Sequence, residues 1–338
     1  MIKLPKLVEL DISGKAVLLR LDLDVDEDYS RIEAAKETFD VLKSNNCRII
    51  AIGHYGRPDG KVDEKYSLRR LAPVIEKISG MQTEFCEETV GEKAIRAVEN
   101  LKQGCILLLE NLRFNSGEEK NDPEFVRDLA SLGEFYVNES FAVSHRSHAS
   151  FIGLPSVLPH AAGMRLVKEV EVLSGILENP RRPVVAVISG VKKDKMDRIA
   201  SILDKVDKVL VAGRLPIYYG DDNPDPEKII MAKLVPDTED ITLHSIDKFK
   251  EEIAKANTII LAGVPGKYED EGHRQGTMEV FNAIARSSAF KVAGGGDAEA
   301  AITLLGLNDK FDWISVGGGA ALEFLANGTL PGIEALKV

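Results

Sequence analysis

The sequence predicts an α/β protein of two doubly wound, mostly parallel sheets, and three observations carry that prediction. Short β-branched or leucine-rich runs alternate with helix-period segments from end to end, which calls for crossover connections and a sheet covered on both faces. The alternation restarts after one long helical stretch, 165–177, closed by Asn179, Pro180 and Pro183. The length, 338 residues, is too great for one ordinary core and comfortable for two.

Taken in order, 16–23 (AVLLRLDL) reads as a strand, with Asp22 and Asp24, two apart, expected on one face. A helix over 31–43, a strand over 48–52 and helices over 68–78 and 92–101 follow. Strands over 106–109 and 135–137 flank a helix over 123–132. Beyond the long helix, strands are expected at 184–188, 209–211, 258–261, 290–293 and 313–316. The helices expected there cover 194–203, 247–256, 277–287, 298–305 and 320–325. The stretch 217–239, rich in Pro and Asp, reads as a loop. The domain boundary falls at the long helix, giving domains of 1–163 and 164–325.

Composition narrows the function classes. Apolar residues make up 44% and charged residues 29%, as in soluble globular proteins, and no apolar run reaches the length of a membrane span. The start lacks a signal-peptide pattern, and three cysteines (Cys47, Cys86, Cys105) form neither a disulfide framework nor a metal-ligand spacing. A cytoplasmic setting is the expectation. A net charge of −11 argues against nucleic-acid partners and makes a local arginine cluster more informative.

Such a cluster follows the expected strand ends, where open α/β sheets bind ligands. Arg31, His54, Arg57, Arg113 and Arg146 come from four segments, and arginine suits phosphate and carboxylate through planar paired donors. His145 and His148 read as structural. In the second domain, Gly294-Gly295-Gly296-Asp297 and Gly317-Gly318-Gly319 each join a strand to a helix, an arrangement suited to anions. Lys192, Lys193 and Lys195 follow another strand. No Walker-type loop or dinucleotide fingerprint occurs.

In order, GHYGRP (53–58), EKYSLRRLAPV (64–74), LLLENLRF (107–114), EEKNDPEF (118–125), HRSHAS (145–150), AGGGDAEAA (293–301) and ISVGGGAALEFLANGTLPG (314–332) resemble the phosphoglycerate kinase family over nearly the whole chain. The resemblance implies two Rossmann-like domains joined by a helical hinge, with the tail 326–338 returning to the first domain. It also implies phosphoryl transfer between 1,3-bisphosphoglycerate and Mg-ADP, giving 3-phosphoglycerate and ATP in glycolysis or gluconeogenesis. Asp22, Asp24, Arg31, His54, Arg57, Arg113 and Arg146 would then hold phosphoglycerate. Arg31, Lys192, Gly296 and Gly319 would serve the transferring group. Lys192, Lys195, Gly213, Glu269, Gly294, Gly295, Gly296, Asp297, Gly317 and Gly318 would hold the nucleotide, with Asp297 orienting its magnesium. The partners implied are small molecules, and the state a monomer that closes at its hinge.

The nucleotide side departs from the family more than the acid side. Residues 189–195 (SGVKKDK) lack one position between the lysines, 214–239 is short, and AGVPG (262–266) replaces Asn-Gly-Pro-Met-Gly. Asp24 stands in place of asparagine, Asp26 of proline and Glu139 of aspartate. The acid-side changes are tolerable, whereas those on the nucleotide side together predict weak or altered nucleotide binding. They leave open a non-catalytic phosphoglycerate-binding relative, or a kinase with another donor.

Overall fold

The computed structural model describes residues 2–193 and 195–337. Strands β1 (Ala16–Arg20), β2 (Arg48–Ile52), β3 (Thr83–Cys86), β4 (Ile106–Leu109), β5 (Phe135–Asn138) and β6 (His160–Ala162) form a sheet ordered β3-β4-β2-β1-β5-β6. Strands β7 (Val184–Gly190), β8 (Lys208–Gly213), β9 (Ile229–Met231), β10 (Thr258–Ala262), β11 (Phe290–Gly294) and β12 (Trp313–Ser315) form a second, ordered β12-β11-β10-β7-β8-β9. Every strand pair in both sheets is parallel. Val17 and Leu19 join a core with Phe39 and Leu42, and Leu18 between them is equally buried on the opposite face. Burial on both faces is why these strands are apolar at every position rather than alternately.

The chain divides into two compact units, one of Val172–Gly328, the other running from Ile2 to Glu171 and taking in the residues from Thr329 onward. The division lies inside the helix Met164–Glu178, eight residues beyond the 163/164 boundary drawn from sequence. That helix is anchored at its start by Glu139, which accepts hydrogen bonds from the Thr38 hydroxyl (2.8 Å) and the Arg165 N–H (3.1 Å).

Several expected elements change. β1 stops at Arg20, so Asp22 and Asp24 do not share a strand face: Asp22 is buried and Asp24 exposed. The helix expected over 31–43 is broken into Ser30–Glu33 and Lys36–Ser44. The expected loop 217–239 begins inside a short helix, Leu215–Tyr219, and holds β9. The helix expected from Asp194 runs Lys195–Ile202, and Asp194 itself lies outside the described residues. β3, β6 and β9 were not expected, and each is a sheet edge of three or four residues. Strands that short show no period, and an edge need not be apolar on both faces.

Candidate functional site

In the first unit the loops that matter follow β4, β2, β1 and β5, four contiguous central strands. Chain direction across the sheet reverses between β1 and β5, the position where such folds open a ligand crevice. At the tip of β1 stands Arg20, fully buried, a residue that was not among the expected site residues. Its Nε donates to the Ser150 Oγ (3.0 Å), one terminal nitrogen donates to the Leu21 carbonyl, and the guanidinium lies 4.6 Å from the centre of the Phe151 ring. Beneath it Glu118, also fully buried, accepts from the Ser150 hydroxyl (2.5 Å) and N–H (3.0 Å). Burial pushes the Glu118 carboxyl up, and Arg20 and the Ser150 donors oppose that push.

Arg20 sets the state of His54. Its second terminal nitrogen lies 2.8 Å from His54 Nδ1, and arginine can only donate, so Nδ1 accepts and the ring proton sits on Nε2. Burial first, then the charges of Arg20 and Arg113, hold His54 well below the usual histidine range. His148, expected to be structural, lies in the same field: burial, Arg113, Arg20 and Arg146 hold it down at about 4. His145, by contrast, makes a local contact from Nδ1 to the Ala142 carbonyl (3.0 Å). Arg113 donates to the Gly56 carbonyl (2.8 Å). Arg31, 29% exposed, reaches Asp22 (3.4 Å) and the Asp24 carbonyl (3.2 Å). Asp24 turns its carboxylate to the Gly56 N–H (2.9 Å).

Two features mark this cluster as a binding surface. Both carboxylate oxygens of Asp22 are buried without a hydrogen-bond donor, although Arg31 stands nearby, and native proteins rarely leave such acceptors unused. Arg57 and Arg146 are exposed, and among the described residues neither side chain makes a hydrogen bond or ion pair. The result is an excess of cations around two neutral imidazoles and one orphaned carboxylate. It fits a small, multiply charged anion carrying a hydroxyl.

In the second unit chain direction reverses between β7 and β10, and two openings lie at the strand ends there. The larger, about 430 Å³, is lined among others by Val191, Gly213, Arg214, Glu239, Tyr268 and Glu269, a volume suited to a nucleoside-sized ligand. Arg214 and Glu239 pair at its wall. Gly213 has φ +63°, and a Cβ there would sit 2.7 Å from the Gly190 backbone, so only glycine fits. The smaller cleft is lined by Lys195, Gly263, Gly294, Gly295, Gly296, Gly318 and Gly319. Asp297 lines both openings.

The glycines let two loops touch. A Cβ on Gly318 would lie 2.5 Å from the Cα and N of Gly295. Gly296 and Gly318 are themselves the first residues of the helices Gly296–Leu304 and Gly318–Asn327. Two helix N-termini therefore lie side by side, each with unpaired N–H groups and positive dipole ends. Lys195 passes Gly190 and Gly263 and sets its ammonium on the Ser189 carbonyl (2.5 Å), inside the cleft. Lys192 stays exposed outside it, and Gly317 bonds locally to Ser315 Oγ (3.3 Å) without lining it.

Arg20, Glu118 and Ser150 were not among the expected site residues, and His148 was read as structural, because their roles depend on mutual burial. One signal was available: a charge ending a strand that is otherwise wholly apolar.

The family model described as phosphoglycerate kinase matches residues 7–220 and 222–328. A phosphoglycerate kinase of Leptospira biflexa is 35% identical over 389 aligned residues, covering 99% of this chain and 98% of the relative. One from Finegoldia magna is 33% identical, covering 98% of each. Among solved structures, phosphoglycerate kinase from Pyrococcus horikoshii OT3 superposes with a TM-score of 0.87 at 27% identity, covering 98% of each chain. That from Coxiella burnetii gives 0.81 at 27%, covering 99% of each. These relatives support the kinase reading and lend nothing to the non-catalytic or altered-donor alternatives.

Proposed function

The chain belongs to the phosphoglycerate kinase family, and from that premise we propose that it transfers a phosphoryl group between 1,3-bisphosphoglycerate and Mg-ADP, with phosphoglycerate held by the first unit and nucleotide by the second. In the ATP-forming direction a terminal oxygen of ADP attacks the acyl phosphorus, the phosphorus–carboxylate bond breaks, and 3-phosphoglycerate leaves as its carboxylate. No side chain has to act as nucleophile or to shuttle a proton, so the protein's work is positioning and charge stabilisation.

On the acid side, Arg57, Arg113 and Arg146 take the stable phosphate and Arg31 serves the transferring group. The orphaned Asp22 carboxylate accepts the glycerate hydroxyl, and His54 offers its Nε2–H. Asp24, tied to Gly56, shapes the loop beside them. On the nucleotide side the observation that carries the reading is Asp297, shared by the nucleoside-sized opening and the glycine-lined cleft. The two together accommodate a nucleoside with its phosphates running to the helix N-termini at Gly296 and at Gly318 and Gly319. Glu269 and Gly213 serve the nucleoside end, Gly294, Gly295 and Gly318 the phosphates, with Gly317 shaping the second loop. Lys195 meets the phosphates within the cleft, and Lys192, from its exposed position, serves the transferring group.

Magnesium fits this site as part of the nucleotide. No group of three metal-ligating side chains exists among the described residues, and one carboxylate, Asp297, beside phosphate oxygens is the usual setting for this ion. Bound there, it would neutralise phosphate charge. The protein acts in the cytoplasm as a monomer and closes about the helix Met164–Glu178. No helix among the described residues is long and apolar enough to cross a membrane.

The test pairs calorimetry with a coupled assay of ATP formation. Binding of both phosphoglycerate and Mg-ADP, with turnover of 1,3-bisphosphoglycerate, is expected. Phosphoglycerate binding without nucleotide binding or turnover would overturn the proposal.

A further inference from the structure

We infer that Arg198 is a positioning residue for phosphoryl transfer, holding the Gly319 carbonyl so that the first turn of the helix Gly318–Asn327 keeps its N–H groups aimed into the glycine-lined cleft. The inference rests on the phosphoryl-transfer reading above and assigns that reaction a residue outside the lysines and glycines already placed in it.

Arg198 lies on the helix Lys195–Ile202, three residues after Lys195. Residues so spaced share a helix face, so the face that sends Lys195 into the cleft also carries Arg198 towards the second glycine loop. One terminal nitrogen donates to the Gly319 carbonyl at 2.5 Å. The same nitrogen stands 2.9 Å from where a Cβ on residue 319 would be, so a side chain there would displace it. The guanidinium and the absence of a side chain at Gly319 are matched.

This placement runs against simple helix electrostatics. A cation is unfavourable at a helix N-terminus, where the dipole is already positive. No carboxylate among the described residues pairs with Arg198. The bond is also unnecessary for satisfying the carbonyl, because first-turn carbonyls of a helix accept from the N–H four residues on. A guanidinium bonded to the first turn of the helix Gly318–Asn327, with no carboxylate partner among the described residues, makes sense where a highly charged anion is to be received.

The bond has a consequence for that anion. The Gly319 carbonyl belongs to the same peptide plane as the Ala320 N–H, which points the opposite way. A charged donor on the carbonyl polarises that N–H and makes it a stronger donor. It also fixes the plane's orientation against the helix Lys195–Ile202.

The test compares wild type with R198M, which keeps the apolar stem, and R198K, which keeps a charged donor. Steady-state kinetics are measured for each substrate, with thermal unfolding alongside. R198M is expected to lose about tenfold in kcat, to leave the KM for phosphoglycerate within about twofold, and to unfold within a few degrees of wild type. R198K is expected to recover most of the loss. If R198M does not fold, R198Q, a neutral polar replacement on a half-exposed position, is read by the same measures. Unchanged kcat, or a loss that follows unfolding and affects both substrates equally, would overturn the inference while wild-type turnover upheld the reading beneath it. A wild-type protein without turnover defeats both.

Discussion

The two units receive anions in physically different ways. The first relies on side-chain charge. Arg20, Arg113, His54 and Asp22 are all buried and all shifted by burial towards their neutral forms. Such a site is costly to desolvate and holds together only because Glu118, Ser150 and backbone carbonyls take up its donors. The second relies on backbone. Gly294, Gly295 and Gly318 bring two helix N-termini together, and the partial charges come from peptide dipoles that need no ionisation. The first site should therefore be fragile to loss of individual charged atoms, and the second to the gain of a single methyl group.

The largest expected effect lies in the buried network. Arg20→Met leaves Glu118 uncompensated, and urea unfolding should show a loss of about 3–5 kcal/mol; a loss near zero would mean the network is not a unit. Next comes Arg31→Ala, expected to lower kcat/KM roughly 10²- to 10³-fold in the coupled assay. Arg31 is partly exposed but faces the buried Asp22 carboxylate, so thermal unfolding should shift, by less than in Arg20→Met. The contrast sharpens at Gly318→Ala. The added Cβ meets the Gly295 backbone, and the overpacking should cost about 1–3 kcal/mol. Calorimetry should then show weakened Mg-ADP binding with phosphoglycerate binding intact. Equal weakening of both ligands would break the comparison.

The smallest effect is on pH dependence. His54 and His148 have folded-state values below the unfolded histidine value of 6.5, so between 6.5 and about 4 the unfolded chain binds more protons. Their contribution to stability is complete above 6.5 and is lost as pH falls through that window. His148→Asn should make the stability profile shallower there. Glu139 has the opposite sign, since burial raises its carboxyl to about 8, so the comparison is made at fixed pH between variant and wild type.

The parallel core strands were legible because burial on both faces demands continuous apolar runs, and AVLL, RIIAI, ILLL and TIILA supply them. Edge strands such as β6 (HAA) carry no such demand and were missed. Arginines after strand ends and tandem glycines were equally legible, because the residue type itself carries the chemistry. Less visible was where the chain leaves a strand. Reading β1 through to Leu23 set Asp22 and Asp24 on one face, whereas its end at Arg20 buries one and exposes the other.

What the sequence determined by itself, then, is the α/β class, the two units, the family and the inventory of anion-binding residues, all properties of local pattern and residue type. Tertiary structure alone decided which charges are buried together. It put Arg20 against His54 and so chose the tautomer, drew His148 into the cluster, and left Asp22 without a donor. It also brought Lys195 rather than Lys192 into the cleft and set Arg198 on Gly319. Electrostatic state depends on distance and desolvation, and neither exists until residues far apart in the chain are packed against one another.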